Sequence, residues 1–399
     1  MTTPAHRNQS LDVLRCIAVL LVLGFHYPYY GLWGRLGWIG VDLFFVLSGF
    51  LISGLLFQEY KRTGAINFKR FLIRRGLKIY PSFYLLIVLA LVLSQARHST
   101  VLRTQALVSA VFAQGYYSGT LFTVLSHTWS LAVEEHFYLL LPPLLMLFVA
   151  IRGRREPFRD LPLLFLILFA ACLAFRWFRL PPSYVAHMTH MRIDSLFAGV
   201  TLGYLYHFRP VWFNKLTGHY ALVAAFLFCL PAAFLDQYDR TMQTFGITGL
   251  LLGFSFLVAW SVVRTPRSAI GHAISKFAAR IGFYSYSIYL WHTILGETFF
   301  SSDVSFWKFW SYIAICIPAG IAMAHLIEMP YLALREKHFP FPPCAAIAVD
   351  TSGPAGPHPD PLSTTPASLQ TQVSSDLFAP GVTKTIAGTT KSFTTGDVP

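Results

Sequence analysis

Charge is what this sequence has least of. Only 12% of its 399 residues are Asp, Glu, Lys or Arg, about half the share of a soluble domain. Hydrophobic residues make up 55% and aromatics 16%, so the composition is that of a polytopic membrane protein and excludes an ordinary soluble domain. Acidic residues are scarcer than basic ones, 18 against 31, for a formal net charge of +13. Such a surplus suits a nucleic-acid partner, but the placement of the basic residues, set out below, excludes one. Cysteine is sparse and unpatterned. Cys16, Cys172, Cys229, Cys316 and Cys344 have no metal-ligand spacing and four lie in apolar runs, which reads as small buried side chains rather than a disulfide framework. No metal site is expected, because the histidines and carboxylates lie on separate segments without local ligand spacing. The first apolar run lacks a small-residue cleavage site and leads into YPYYGLWGR; it is expected to stay as a signal-anchor helix. No inverted or parallel repeat, a mark of many transporters, is visible.

Long apolar runs are what the sequence has instead. They fall at about 11–30, 37–57, 79–96, 130–150, 161–178, 192–207, 218–235, 243–263, 281–299 and 308–328, which predicts an all-α polytopic protein of about ten transmembrane helices. The stretch Ala106–Gln114 is a candidate re-entrant piece. With a cytoplasmic N-terminus, the inner loops carry Lys61, Arg62, Lys69, Arg70, Arg74, Arg75 and Lys78, then Arg152, Arg154, Arg155 and Arg159, and later clusters up to Arg335 and Lys337. The outer loops carry only Arg35, Arg97, Arg103, Arg176, Arg179, Arg240 and Lys308. Every second loop is basic, which predicts an N-in, C-in topology and accounts for most of the net charge without a polyanion. The division expected is a cytoplasmic N-terminus at 1–10, a membrane domain at 11–338 and a disordered cytoplasmic tail at 339–399, rich in Pro, Thr, Ser, Gly and Ala.

Several ionisable residues lie where lipid would be. Arg15 and His26 are eleven residues apart in LDVLRCIAVLLVLGFH, so on a helix they share one face about 16 Å apart. Asp12, one turn before Arg15, can pair with it. Ionisable residues in a span usually face a bundle interior or a watery cavity; snorkelling to the two headgroup layers is the other reading. The topology puts His26, Asp42, His127, Glu134, Arg192, Asp194 and His292 in an outer-half layer and Asp12, Arg15, Arg74, Arg75 and Glu328 toward the inner face. In HTWSLAVEEHFY, positions 127, 130, 134 and 138 recur at helical spacing, so His127, Ser130, Glu134 and Tyr138 line one face, with Trp129 beside them. A carboxylate beside histidines can orient an imidazole and raise its basicity; a headgroup anchor is the alternative. Asp42 and Ser48 belong to GVDLFFVLSGF, where Ser48 and Gly49 also suit close helix packing. The stretch FKRFLIRRGLKIYP reads either as an anchor on anionic lipid or as a site for a phosphorylated ligand, since guanidinium groups bind phosphate bidentately. Arg192 and Asp194 open the sixth helix, and His292 ends YSYSIYLWH.

Taken together, these stretches resemble the integral-membrane acyltransferase-3 family, which O-acylates cell-surface and secreted carbohydrates. The resemblance runs from about Ser10 to Arg335. It rests on the Arg15-x10-His26 pair, GVDLFFVLSGFLI, the basic stretch ending in Tyr80-Pro81, HTWSLAVEEHFYLLLP, Arg192-Ile-Asp194, YSIYLWH and Ile-Glu328-Met-Pro330, in the family order. Val13 and Lys78 depart from the family's usual Gly and Arg. The resemblance implies a stand-alone multi-pass acyltransferase of the cell (inner or plasma) membrane, without the fused extracellular hydrolase-like domain of some members. It would move an acyl group, most often acetyl in this family, from cytoplasmic acyl-CoA to a hydroxyl of a surface or exported carbohydrate. Acyl-CoA is then a donor substrate and no cofactor is bound. On this reading Arg74, Arg75 and Arg15 hold the CoA phosphates, His26 is the general base, and Glu134 or His127 orients it or binds the acceptor. Asp12, Asp42, Ser48, Trp129, Ser130, Arg192, Asp194 and His292 line the cavity or the acceptor side. The partners implied are a glycan acceptor, acyl-CoA and the bilayer, with no oligomeric state specified. A proton- or ion-coupled transporter of small metabolites is the main rival, since it needs the same intramembrane groups. A degenerate, non-catalytic member is a second.

Overall fold

The computed structural model describes residues 8–27, 31–117, 124–153, 156–179, 186–264, 268–299 and 305–341. Among these, every regular element is helical. In chain order they are α1 Gln9–His26, α2 Leu32–Leu36, α3 Gly40–Thr63, α4 Phe68–Ala96, α5 Thr100–Ala110, α6 Trp129–Arg152, α7 Leu161–Arg179 and α8 Thr189–Phe208. There follow α9 Pro210–Lys215, α10 Tyr220–Cys229, α11 Pro231–Phe234, α12 Ile247–Val262, α13 Ala269–Phe283, α14 Ser285–Phe299, α15 Phe306–Met323 and α16 Met329–His338. The expected tail from 339 lies outside the described residues beyond 341, as do most of the expected N-terminal segment and Cys344.

Among the described residues, seven helical stretches are long and apolar enough to cross a membrane: Gln9–His26, Leu32–Thr63, Phe68–Ala96, Ser126–Arg152, Leu161–Phe178, Met242–Val262 and Phe306–His338. Ten spans were expected, and the other three runs are helical but different in kind. The run at 192–207 is α8, of 20 residues, whose Arg192 and Asp194 lower its hydropathy. The run at 218–235 is broken between α10 and α11, where Pro231 has no N–H to continue the ladder. The run at 281–299 is interrupted at Tyr284, between α13 and α14. The third expected span and the basic stretch before it are one helix, the 29-residue α4. Asn67 caps it, its side-chain oxygen accepting from the Arg70 N–H at 2.9 Å. The candidate re-entrant piece falls on α5, of 11 residues, which is too short to span.

Side-chain contacts fix the relative directions of the helices. Asp42, Gly49 and Ser53 of α3 meet Arg192, Gly199 and Gly203 of α8, each pair 150 residues apart in sequence, so α3 and α8 run parallel and in register. α6 runs the same way, since Phe45 meets Trp129 and Ser48 meets Glu134. α4 opposes α6 through Phe71 with Tyr138 and Tyr80 with Glu135. α7 opposes α8, since Arg176 meets Asp194 and Phe158, just before α7, meets Phe208. α1 runs with α13 and α14, Asp12 lying at Gly282 and His26 at His292. α15 opposes α14, Cys316 lying at His292 and, just beyond its end, Glu328 at Ser287. The alternation expected from the basic loops gives these same relative directions. The bundle thus has a histidine end, with His26, His127 and His292, and an arginine end, with Arg74, Arg75 and Arg335.

The α3–α8 seam is built on absent side chains. A Cβ on Gly49 would lie 1.9 Å from the Leu196 carbonyl oxygen, and one on Gly199 would lie 2.2 Å from that of Val46. Close backbone approach of this kind is how small residues hold membrane helices together. Gly199→Leu is therefore expected to destabilise the detergent-solubilised protein by about 3 kcal/mol or more, read as the midpoint of thermal or SDS unfolding. Gly76→Ala, whose new Cβ meets only the movable Tyr80 ring at 3.0 Å, is expected to stay within about 1 kcal/mol of the parent.

Candidate active site

Three imidazoles from three segments meet at the histidine end. The His26 ring lies 4.7 Å from His292 and 6.2 Å from His127, centroid to centroid, and His127 lies 4.9 Å from His292. α1 delivers His26 at its last residue, a short turn before α6 delivers His127, and α14 delivers His292. The backbone sets their tautomers, because a carbonyl oxygen can only accept. His26 Nδ1–H donates to the Val22 carbonyl at 3.0 Å, which leaves Nε2 as a free lone pair. His292 Nδ1–H donates to the Tyr289 carbonyl, and its Nε2 is buried without a hydrogen-bond partner among the described residues. His127 Nε2–H donates to the Leu290 carbonyl at 3.2 Å, and its Nδ1 faces the Thr293 hydroxyl at 3.1 Å. His292 and His127 are 0% and 2% exposed, whereas His26 is half-buried. Of the three, only His26 is open to a second molecule.

The α6 face continues the polar path toward the other end. The Tyr289 and Ser130 hydroxyls lie 2.6 Å apart, and Tyr289 donates to the His127 carbonyl at 2.7 Å. One turn on, Glu134 accepts from Ser48 at 2.7 Å and from Tyr138 at 2.6 Å. Positions 127, 130, 134 and 138 therefore do line one face. Glu134, however, hydrogen-bonds Ser48 and Tyr138 rather than an imidazole, so it has no direct hold on His26. The charges of Arg15 and Arg75 act on it from the arginine end. It links the two ends of the path.

At the arginine end the two expected anion ligands differ. Arg74 is occupied: it pairs with Glu336 at 2.9 Å, donates to the Phe339 carbonyl and stacks on the Phe341 ring. Arg75 lies over the faces of Phe71 and Tyr138, 5.8 and 5.9 Å from the ring centroids, with no carboxylate partner among the described residues. Arg15 pairs with buried Asp12 at 3.5 Å. Lys78 pairs with buried Glu328, which also accepts from Ser287 at 2.8 Å. Glu328 sits in the π-turn Ala324–Glu328 between α15 and α16.

Asp42, Arg192 and Asp194 lie beside the path and belong to two buried ion pairs. Arg192 pairs with Asp42 at 2.6 Å and lies over Phe45 and Trp129. Asp194 pairs with Arg176 at 2.9 Å, both side chains being 0% exposed. Arg176, expected in an outer loop, is instead inside the bundle; it also donates to the Met191 carbonyl and to Thr248. Its position near the end of an apolar run gave no sign of this, because a snorkelling and a buried arginine look alike in sequence. Trp129 is half-buried and stacks on His187 at 4.3 Å. Tyr289 and Thr293 also join the site; they were not among the expected site residues, and their spacing of three and one from His292 is the signal in the sequence that marks them as its neighbours. Among the described residues, no group of three or more His, Cys, Asp and Glu could hold a metal ion.

The chain is 29% identical over 309 residues to the peptidoglycan O-acetyltransferase OatA of Listeria monocytogenes, covering 71% of this chain and 48% of that protein. It is 28% identical over 303 residues to the O-acetyltransferase OatA of Staphylococcus aureus, covering 71% of this chain and 49% of the other. It thus spans about half the length of these curated relatives. No solved structure matches it. The acyltransferase-domain family matches residues 8–329, a range that holds the three histidines, Glu134 and all the arginines discussed except Arg335, and the chain therefore belongs to the acyltransferase-3 family.

Proposed function

We infer that this protein is a membrane O-acetyltransferase that moves an acetyl group from acyl-CoA to a hydroxyl of a cell-envelope carbohydrate. The observation that carries this reading is the state of His26. It has a free Nε2 lone pair, it is the one partly exposed ring of the histidine cluster, and it shares a helix face with Arg15 eleven residues away. Family membership supports acyl transfer as the reaction class. The relatives' names support acetyl as the group and a wall or surface glycan as the acceptor. A coupled transporter would use the same kinds of residue, but nothing in the family match favours it.

The alternation of basic loops supports a cytoplasmic N-terminus in the cell membrane. The arginine end then opens to the cytoplasm, where acyl-CoA is found, and the histidine end faces outward. Arg75 is the better anion ligand: aromatic faces hold its guanidinium and no carboxylate forms an ion pair with it among the described residues, whereas Arg74 is engaged by Glu336. A guanidinium binds phosphate through paired charge-assisted hydrogen bonds. Arg15 is the second donor ligand, nearer the histidines. In the reaction, the acceptor hydroxyl donates to His26 Nε2. As its oxygen attacks the thioester carbonyl carbon, His26 takes the proton, the C–O ester bond forms, the C–S bond breaks and the CoA thiolate leaves. His26 then returns the proton to the thiolate. General-base help of this kind is worth about 10²–10⁴ in rate. Trp129 and Ser130 line the acceptor side, while the Arg192–Asp42 and Arg176–Asp194 pairs brace it.

Transfer of label from radiolabelled acetyl-CoA to surface glycan, in membranes carrying the chain, is expected to fall about 100-fold or more in His26→Ala at equal expression. Equal label from both would remove His26 as the base, and no label from either would exclude acetyl as the group. Arg75→Ala is expected to raise KM for acetyl-CoA about tenfold with little change in kcat. Arg74→Ala is expected to leave KM near the parent value and to match Glu336→Ala in stability. The reverse ranking would transfer the donor site to Arg74.

A further inference from the structure

His292 Nε2 is the odd atom of the histidine cluster. A buried nitrogen with no hydrogen-bond partner is a cost that folded proteins rarely leave standing without a use. The Tyr289 carbonyl claims the proton on Nδ1, so Nε2 can only accept, and among the described residues no donor reaches it. The groups packed around it supply none. His127 gives its Nε2–H to the Leu290 carbonyl, the Tyr289 hydroxyl goes to the His127 carbonyl, and the Cys316 thiol lies 3.9 Å from the His292 carbonyl oxygen. The Tyr27 and Tyr312 rings lie 5.3 Å apart, centroid to centroid. A further neighbour is His26, 4.7 Å away centroid to centroid with its ring at 75°. Neutral His26 also offers a lone pair at Nε2. Once it takes a proton there, it becomes a donor on the ring next to an acceptor that has no partner among the described residues.

We propose that His292 is a positioning residue for the base: when His26 is protonated, a tilt of its ring lets Nε2–H donate to His292 Nε2, and the two imidazoles hold the transferred proton between them. No other bond changes in this step. The proton comes from the acceptor hydroxyl and leaves with the thiolate. Because His292 does not meet the substrate, it acts only through His26. The arrangement raises the proton affinity of His26 through a neutral acceptor, without a permanent charge hydrogen-bonded to the imidazoles.

The proposal rests on His26 being the base, but its test needs neither donor nor acceptor. The full chain is purified in detergent and treated with diethylpyrocarbonate across the acid-to-neutral range. The rate of carbethoxylation at His26, read by peptide mass spectrometry, reports its unprotonated fraction. His292→Asn keeps an amide donor for the Tyr289 carbonyl and removes the acceptor at Nε2. His292→Gln places a carbonyl oxygen where Nε2 stood. The Asn variant is expected to lower the proton affinity of His26 about tenfold, a midpoint one pH unit more acidic, and the Gln variant to stay within about threefold of the parent. Exposed His272 should react identically in all three chains if they are folded alike. Equal His26 midpoints in all three, or a lowered midpoint in both variants, overturns the proposal and leaves the acetyltransferase reading intact. A parent chain that transfers no acetyl group, yet shows the Asn–Gln difference, overturns that reading and leaves the histidine pair.

Discussion

Where Gly49 of α3 meets Gly199 of α8, no side chain separates the two backbones. Without a hydrophobic driving force between helices in lipid, such close packing is a principal source of association. Its consequences reach the site directly. Because the two helices run in register, the same seam carries the Asp42–Arg192 pair two turns away. Ser48, next to Gly49, is turned out of the seam toward Glu134 on α6. Arg192 in turn lies over Trp129 at the start of α6, so the helix that carries the site face is fixed against the seam at two heights.

Charge inside a bilayer is tolerated where it is paired or faces a cavity, and this bundle uses both solutions. Arg192 with Asp42, Arg176 with Asp194 and Lys78 with Glu328 are paired; the first and third join elements far apart in sequence, and the second ties α7 to the helix that follows it. A buried pair is weak support for stability on its own, but removing one partner leaves an uncompensated charge, so such pairs act strongly on which helices may meet. Arg75 is the exception. Aromatic faces stabilise a cation without neutralising it, which leaves its hydrogen-bonding fork available to an anion. Arg74 has the same chemistry and no such freedom, because the end of α16 covers it.

The histidine cluster follows the same economy. Each ring gives one N–H to a backbone carbonyl, so the bundle fixes tautomer and orientation without a carboxylate beside the imidazoles. The carboxylate of the path, Glu134, is instead set between the histidines and the arginines and bound by two hydroxyls. The histidines and the arginines are thereby kept at opposite ends of one polar path, joined by the α6 face and by α1; on the proposed reading these ends serve acid–base chemistry and anion binding.

Much of this was written in the sequence. Low charge and long apolar runs require helices in lipid, because only helices satisfy every backbone group within one segment. Helical spacing put Arg15 and His26 on one stripe and His127, Ser130, Glu134 and Tyr138 on another, and the basic loops gave the relative directions of neighbouring helices. These are local or statistical properties, so one chain suffices to read them. What the sequence left undecided were the partners. It could not say that Asp194 belongs to Arg176 and Asp42 to Arg192, that Arg74 is covered and Arg75 is not, or that three histidines more than 100 residues apart share one cluster. Nor could it tell an arginine that snorkels from one that is buried. Those facts depend on which helices touch and at what height. In this bundle that follows from side chains too small to keep two backbones apart, a long-range contact with no local pattern of its own.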